Sequence, residues 1–419
     1  MIYLLRKTLE SISDNGVRYT ATQVGLRLLA PFAAVVFALY DRATTDRARD
    51  VTIAVRGRTP ESDTFALLDQ CAERDGEPTL HVCSTRDVDD TQFDLWDSRG
   101  VTVVSSRFHA LECIRSISRS SVVVCKQDSH FKWYRLFDSS DRTWIRLYHG
   151  PITKSYERTR TGSRPQRIEP VTSIVQDGIG HRSVNSDAEK YFRSSSEGRH
   201  PGRFPTWGYP RFDRIRRFVD GESEPILPTQ TERVVDEPET VNILYAPTHK
   251  DGAYETTFFP FPDFEIRRLR EFCAEHDVRF FLRPHPGNED QYTHLTDGEH
   301  VVFAGQQFAN SATELMPYMD GLVTDYSSIY VEFLPFDRPI IFVKDDHERF
   351  QQVRGLAFEY DRYFPGPKPD TFQQFLETLE GVGEDGDLDS TYAENRAFVR
   401  ETFAPDHDRS FLTEVLDES

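Results

Sequence analysis

Lysine is scarce in this sequence: of its 50 basic residues only eight are lysine (Lys7, Lys126, Lys132, Lys154, Lys190, Lys250, Lys344 and Lys368), and the rest are arginine. With 69 acidic residues and a net charge of −19, the composition suits a protein kept soluble in concentrated salt, where fixed charges are heavily screened. A halophilic source is the expectation, and the charge argues against general nucleic-acid binding. Cysteine is sparse too. The five (Cys71, Cys83, Cys113, Cys125 and Cys273) are scattered, odd in number and without a CxxC pair, so buried thiols in a reducing, cytoplasmic compartment are expected. No cleavable signal peptide is evident. The apolar run Leu28 to Tyr40 holds 13 residues, short of the ~20 that a spanning helix needs. It leaves two placements open, a core helix or a helix lying in a bilayer interface. Repeats of solenoid period, low-complexity tracts and dense carboxylate clusters of metal-site spacing are missing as well.

What is present is enough for two ordinary domains. The chain has 419 residues, of which 38% are hydrophobic and 12% aromatic. Short apolar runs suited to buried strands fall at Asp50 to Arg56, Thr79 to Cys83, Val101 to Val104, Ser121 to Cys125 and Trp144 to Tyr148. Helical spacing lies between them at Ser62 to Glu73 and Phe108 to Ile117. After a polar stretch, Arg158 to Arg203, and an exposed insertion, Asp220 to Glu239, the alternation restarts. Strands fit Val241 to Ala246, Val278 to Leu282, Gly321 to Thr324 and Pro339 to Val343, with helices at Phe264 to Glu275 and Ala312 to Met319. Ser311 with Glu314, and Asp370 with Gln373, have the spacing of capping boxes. Strands alternating with helices predict parallel sheets covered on both faces, in an α/β chain of two Rossmann-type domains facing across a cleft. The expected division is an apolar segment at 1–45, an acceptor domain at 46–205, a donor domain at 206–370 and C-terminal helices at 371–419.

In such sheets ligands bind beyond the carboxyl ends of the strands. Four segments lie there. In Leu147 to Lys154 (LYHGPITK), His149 leaves a strand and Gly150 allows close backbone approach; the histidine suits a general base or a structural strand end. In RPHP, Arg283 and His285 stand together, with prolines stiffening the backbone. In TDYSS, Asp325, Ser327 and Ser328 lead into a helix expected over Ile329 to Phe336, where hydroxyls and unsatisfied amides suit a phosphate. The segment Tyr245 to Thr248 is compatible with a simple turn. Beyond these, Lys154 to Arg167 places Lys154, Arg158, Arg160, Arg164 and Arg167 against one acid, Glu157. In so acidic a chain that run suggests an anionic acceptor or a lipid headgroup.

The order of these segments is recognisable. LYHGPITK, WGYPRFDRI, ILYAPTHKDG, FFLRPHP, VTDYSSIYVEFLPFDRPIIFV and VRGLAFEY followed by FPGP resemble the successive motifs of the CDP-glycerol glycerophosphotransferase family, from about Trp144 to the end. The resemblance implies a GT-B-like fold with the active site in the interdomain cleft. It implies a CDP-polyol donor and an acceptor hydroxyl attacking the β-phosphorus with release of CMP, in teichoic-acid-type polymer synthesis. By motif match His149 takes the place of the family's base and Lys154 of the lysine after it. His285, Ser327 and Ser328 match diphosphate contacts, and Arg283 and Asp325 are placed beside them by position. Two departures stand out: Pro151 follows Gly150 directly, with Thr153 displaced, and Phe212 precedes Asp213 where a polar residue is usual.

The expected partners are therefore CDP-glycerol or a related CDP-polyol and a lipid-linked or anionic glycan or polyol acceptor. Peripheral contact with the inner face of the cell membrane is expected, with no obligatory metal or other cofactor. The competing readings are a nucleotide-sugar glycosyltransferase of the same fold class and a non-catalytic module binding anionic polymer.

Overall fold

The short apolar runs of the first half pair into one parallel sheet, and those of the second half into another. The computed structural model describes residues 32–44, 50–55, 62–74, 78–84, 93–107, 111–126, 134–135, 138, 142–155, 180–248, 257–284, 292–344, 347–382 and 387–418. In the first sheet β1 (Asp50–Val55), β2 (Leu80–Ser84), β3 (Val103–Arg107), β4 (Ser120–Lys126), β5 (Thr143–Leu147) and β6 (His181–Arg182) run in the order β3-β2-β1-β4-β5-β6. In the second, β7 (Val241–Tyr245), β8 (Val278–Leu282), β9 (Val301–Phe303), β10 (Gly321–Thr324) and β11 (Ile340–Phe342) run β11-β10-β7-β8-β9. Each sheet winds outward in both directions from its first strand, so each has a switch point: β1 beside β4, and β7 beside β10.

Strands covered on both faces read as near-continuous apolar runs. Val122, Val123 and Val124 of β4 are fully buried, as are Phe280, Phe281 and Leu282 of β8. The edge strands β6 and β9, of two and three residues, are too short to carry such a pattern. The run Trp144 to Tyr148 is therefore not the last strand of its half, as the pattern had suggested.

Helix α1 (Ser62–Ala72) lies along α4 (Pro210–Val219). Between them in sequence come α2 (Leu111–Arg119) and α3 (Asp187–Glu197). In the second domain α5 (Ile266–Glu275) and α6 (Ile329–Phe333) flank the sheet. Helix α7 (Phe372–Glu380) buries Phe372, Phe375, Leu376 and Leu379 with Phe259 and Phe280, at about 1.5–3 kcal/mol for each large apolar side chain. It belongs to the second domain, and the chain crosses back only after it. Helix α8 (Asp387–Phe403) packs against both α3 and the second domain's α6, and α9 (Phe411–Glu418) then reaches the first domain, where the amide of Phe411 donates to Asp213 Oδ2 (2.8 Å) and that of Leu412 to Gln70 Oε1 (2.9 Å).

Two caps differ from expectation. Thr371, not Asp370, caps α7, accepting from the amide of Gln374. Ser311 accepts from the amide of Thr313, while Glu314 turns away to Arg214 and the amide of Ile226. All five cysteines are buried, and burial pushes the thiols of Cys71 and Cys273 up to about 12.

Candidate active site

β5 delivers Tyr148, His149 and Gly150 to the cleft edge, and two arginines hold the turn from behind. Arg193 Nη2 donates to the carbonyl of Gly150 (2.9 Å), and Arg211 Nη1 donates to that of His149 (2.8 Å). Both guanidinium groups are themselves fixed. Arg193 binds Glu189 (2.7 Å) and lies 3.5 Å over the Tyr148 ring, whose hydroxyl donates to Glu197. Burial holds that phenol far above its ordinary range. The main chain around His149 is thus clamped, while the histidine itself is exposed.

The turn runs directly against the second domain. A Cβ added to Gly150 would lie 2.8 Å from Ser328 Oγ and 3.4 Å from Glu332 Oε1, so any side chain here would have to displace the serine hydroxyl. Downstream, residues 153–155 pair with 355–357: the amide of Ser155 donates to the carbonyl of Gly355 (2.9 Å), and that of Ala357 to the carbonyl of Thr153 (3.0 Å). Lys154, half-buried, sits in this bridge opposite Leu356. Gly355 turns at φ +71°, with Ser155 Oγ 3.0 Å from where its Cβ would be.

On the second domain, β10 ends at the switch point. Asp325 is buried there, and its Oδ1 accepts from the amides of Thr248 (2.7 Å) and Tyr326 (2.6 Å), joining the ends of β7 and β10. Ser327 and Ser328 follow, half-buried. Ser328 occupies the N-cap position of α6 in helical conformation, and its hydroxyl makes no capping bond. Since α6 is five residues long and continues only as a 3-10 turn, little dipole is available; hydroxyls and amides are the donors on offer.

The structure brings the His149 turn and the Ser327–Ser328 turn together. It also gives two expected phosphate ligands main-chain partners. Asp325 turns its carboxylate inward to main-chain amides. Arg283 Nη1 donates to the carbonyls of Ala304, Gly305 and Ala309 (2.8, 2.8 and 2.7 Å), holding the loop beyond β9. That nitrogen holds the loop in place. His285 itself, and Arg158 and Arg160 of the basic run, lie outside the described residues.

Sequence reasoning missed a charged cluster behind the turn. Arg211 meets Asp63 through Nη2 (2.7 Å) and Nε (3.0 Å), and Lys126 at the end of β4 meets the same carboxylate (3.0 Å). Burial alone raises the pKa of Asp63, but Arg211 and Lys126 overcome it and hold the group well below the ordinary carboxylate range. Arg211 Nη1 also reaches Glu332 Oε1 (2.9 Å); burial raises the pKa of Glu332, opposed by Arg211. Arg211 and Glu332 both fall inside the quoted motifs, and their pairing carries no local signal. Among the described residues no group of three or more His, Cys, Asp or Glu is placed to hold a metal ion, and no helix is long and apolar enough to cross a membrane.

The family model for CDP-Glycerol:Poly(glycerophosphate) glycerophosphotransferase matches residues 37–417. The teichoic acid glycerol-phosphate transferase of Staphylococcus aureus (strain NCTC 8325 / PS 47) is 26% identical over 271 residues, 59% of this chain and 64% of its own length. The teichoic acid ribitol-phosphate polymerase TarL of the same strain is 24% identical over 221 residues, 50% of this chain and 38% of its own. This chain thus spans well under half the length of that polymerase. The solved structure of the wall teichoic acid polymerase TagF superposes with a TM-score of 0.70 at 15% identity, covering 100% of this chain and 98% of that one, which establishes the GT-B-like fold. With the family model covering nearly the whole length, the chain belongs to the CDP-glycerol:poly(glycerophosphate) glycerophosphotransferase family.

Proposed function

We propose that this chain transfers a glycerol phosphate, or a related polyol phosphate, from a CDP-polyol to an acceptor hydroxyl and releases CMP. The observation that carries this reading is the meeting of the His149–Gly150 turn with Ser328 across the two domains. The acceptor oxygen attacks the β-phosphorus; a new P–O bond forms, and the bond to the bridging oxygen breaks. CMP leaves with the bridging oxygen, and His149 takes the acceptor's proton. Ser327, Ser328 and His285 donate to the diphosphate, while Asp325 and Arg283 hold the turns around it. Lys154, and by sequence Arg158 and Arg160 of the same basic run, serve an anionic acceptor in this reading. No metal is obligatory in this reading, because the transfer depends chiefly on positioning and on donors aimed at developing charge.

The acceptor in this reading is a lipid-linked or anionic glycan or polyol, met from the cytoplasm at the inner face of the membrane. Residues 32–43, a helix, support that contact. Ala34, Phe37 and Ala38 are buried, and Asp41 is tied to Arg142 (2.7 Å), while Phe32, Val35, Val36, Leu39 and Tyr40 form an exposed apolar stripe.

The test is CMP release by the purified protein at high salt, with a panel of CDP-polyols and membrane-lipid acceptors. Release with one CDP-polyol and formation of a phosphodiester are expected. No release from any member overturns the reading; release of a nucleoside diphosphate from a nucleotide sugar would replace it with a glycosyltransferase.

A further inference from the structure

Helix α4 sends two arginines, one turn apart, into the seam between the domains, and each bridges a first-domain aspartate of α1 to a second-domain glutamate. Arg211 joins Asp63 to Glu332, and Arg214 joins Asp69 to Glu314, with Nε and Nη2 gripping the two Glu314 oxygens at 2.8 and 2.7 Å. All six side chains are buried, so salt screens these pairs far less than surface pairs. The two bridges differ in one respect. Arg211 Nη1 alone is shared with the His149 carbonyl (2.8 Å), and Glu332 alone lies beside the Gly150–Ser328 contact.

We infer that Arg211 and Glu332 are positioning residues for the transfer, setting the place of the His149 turn relative to Ser327 and Ser328. The inference rests on the transfer reading above and adds a residue pair to it. The physical reason is the shape of guanidinium. One edge of Arg211 is committed to Asp63 at two points, which orients the plane; the remaining nitrogen then has two acceptors, one from each domain. A displacement of Glu332 therefore moves Arg211 Nη1, and with it the carbonyl next to the proposed base. Lysine, with a single nitrogen on a flexible stem, cannot make both sets of contacts at once. Arg214 has the same interdomain pattern with no contact to the turn, so it serves as the internal comparison.

The experiment compares Glu332→Gln with Glu314→Gln. Each keeps the side-chain shape and removes one buried negative charge. For Glu332→Gln, kcat should fall by about 10- to 100-fold, the scale of a sub-ångström to 1 Å misplacement, while the KM for CDP-glycerol changes less than about threefold. Amide hydrogen exchange should quicken in the segment Tyr148 to Ser155. Glu314→Gln should lower the melting temperature with a much smaller effect on kcat and no change in exchange at that segment. Equal kcat losses in the two variants, or a rise in KM that accounts for the loss in Glu332→Gln, would overturn the inference. If the parent protein turns over no CDP-polyol, the transfer reading fails by itself. The exchange comparison then decides the positioning claim, and unchanged exchange in Glu332→Gln overturns it.

Discussion

Gly150 of the first domain approaches Ser328 of the second so closely that a methyl group on its α-carbon would lie 2.8 Å from the serine hydroxyl oxygen. Gly150→Ala must therefore turn that hydroxyl away or part the two turns. Turnover should fall by at least about tenfold, the scale of losing one well-aimed donor or of misplacing the turn. The sharper measurement is a double-mutant cycle on kcat with Ser328→Ala, which removes the oxygen that the methyl would strike. The second substitution should cost much less in the background of the first. Additive losses would separate the two residues and sink the contact as a functional one.

His149→Ala should lower kcat by roughly 10²- to 10⁴-fold, the usual contribution of a positioned general base. Its ring is exposed, and its carbonyl, not its side chain, is what Arg211 holds, so the fold should be preserved. Affinity for CDP-glycerol measured by calorimetry should stay within about threefold of the parent value. Unchanged turnover would remove the base assignment, and a lost donor affinity would move His149 to the diphosphate.

Strands such as β4 and β8 were legible because burial on both faces leaves an uninterrupted apolar run, and both fall within a residue of where the pattern put them. The caps were less so: a serine followed three residues on by a glutamate has the spacing of a capping box, yet Glu314 is drawn instead to Arg214 across the seam. The same limit hid the cluster behind the His149 turn. Asp63 and Arg211 are separated by 148 positions, and Arg211 and Glu332 by 121, so no local periodicity announces them. Arg283 shows the converse. A cation beside a histidine at a strand end suggests phosphate, but main-chain carbonyls are invisible in a sequence, and three of them take its Nη1.

Asp213, at the departure from the family pattern, joins three helices: it accepts from Gln70 of α1 (2.8 Å), from Arg216 of its own helix (2.7 Å) and from the Phe411 amide that opens α9 (2.8 Å). Burial nevertheless pushes its carboxyl up to about 6 from an ordinary 3.8, against the lowering by those partners. The folded chain then binds this proton more tightly than the unfolded chain. Its contribution is fully present below the unfolded value and is lost as pH rises through the folded one. Asp213→Asn removes the titration. Whatever it costs in hydrogen bonds, its stability relative to the parent should improve between about pH 4 and about pH 7, by on the order of 3 kcal/mol. Urea denaturation of both proteins across that range measures it, and a difference that stays constant with pH refutes the assignment.

The apolar stripe on the helix at 32–43 is anchored from its other side, where Arg142 binds Asp41 and lies 5.6 Å from the Phe37 ring centroid. Phe32 and Leu39 point away from that anchor, with exposures of 72% and 64%, so replacing them leaves the packed face intact. Burying one such side chain in a bilayer interface contributes about 1.5–3 kcal/mol, and a charge in its place opposes insertion. Phe32→Asp combined with Leu39→Asp should reduce co-flotation with anionic lipid vesicles by at least about tenfold. CMP release to a short water-soluble acceptor should stay near the parent rate, because the helix contributes no residue to the His149–Ser328 contact. Co-flotation equal to that of the parent would mean that the stripe meets something other than lipid.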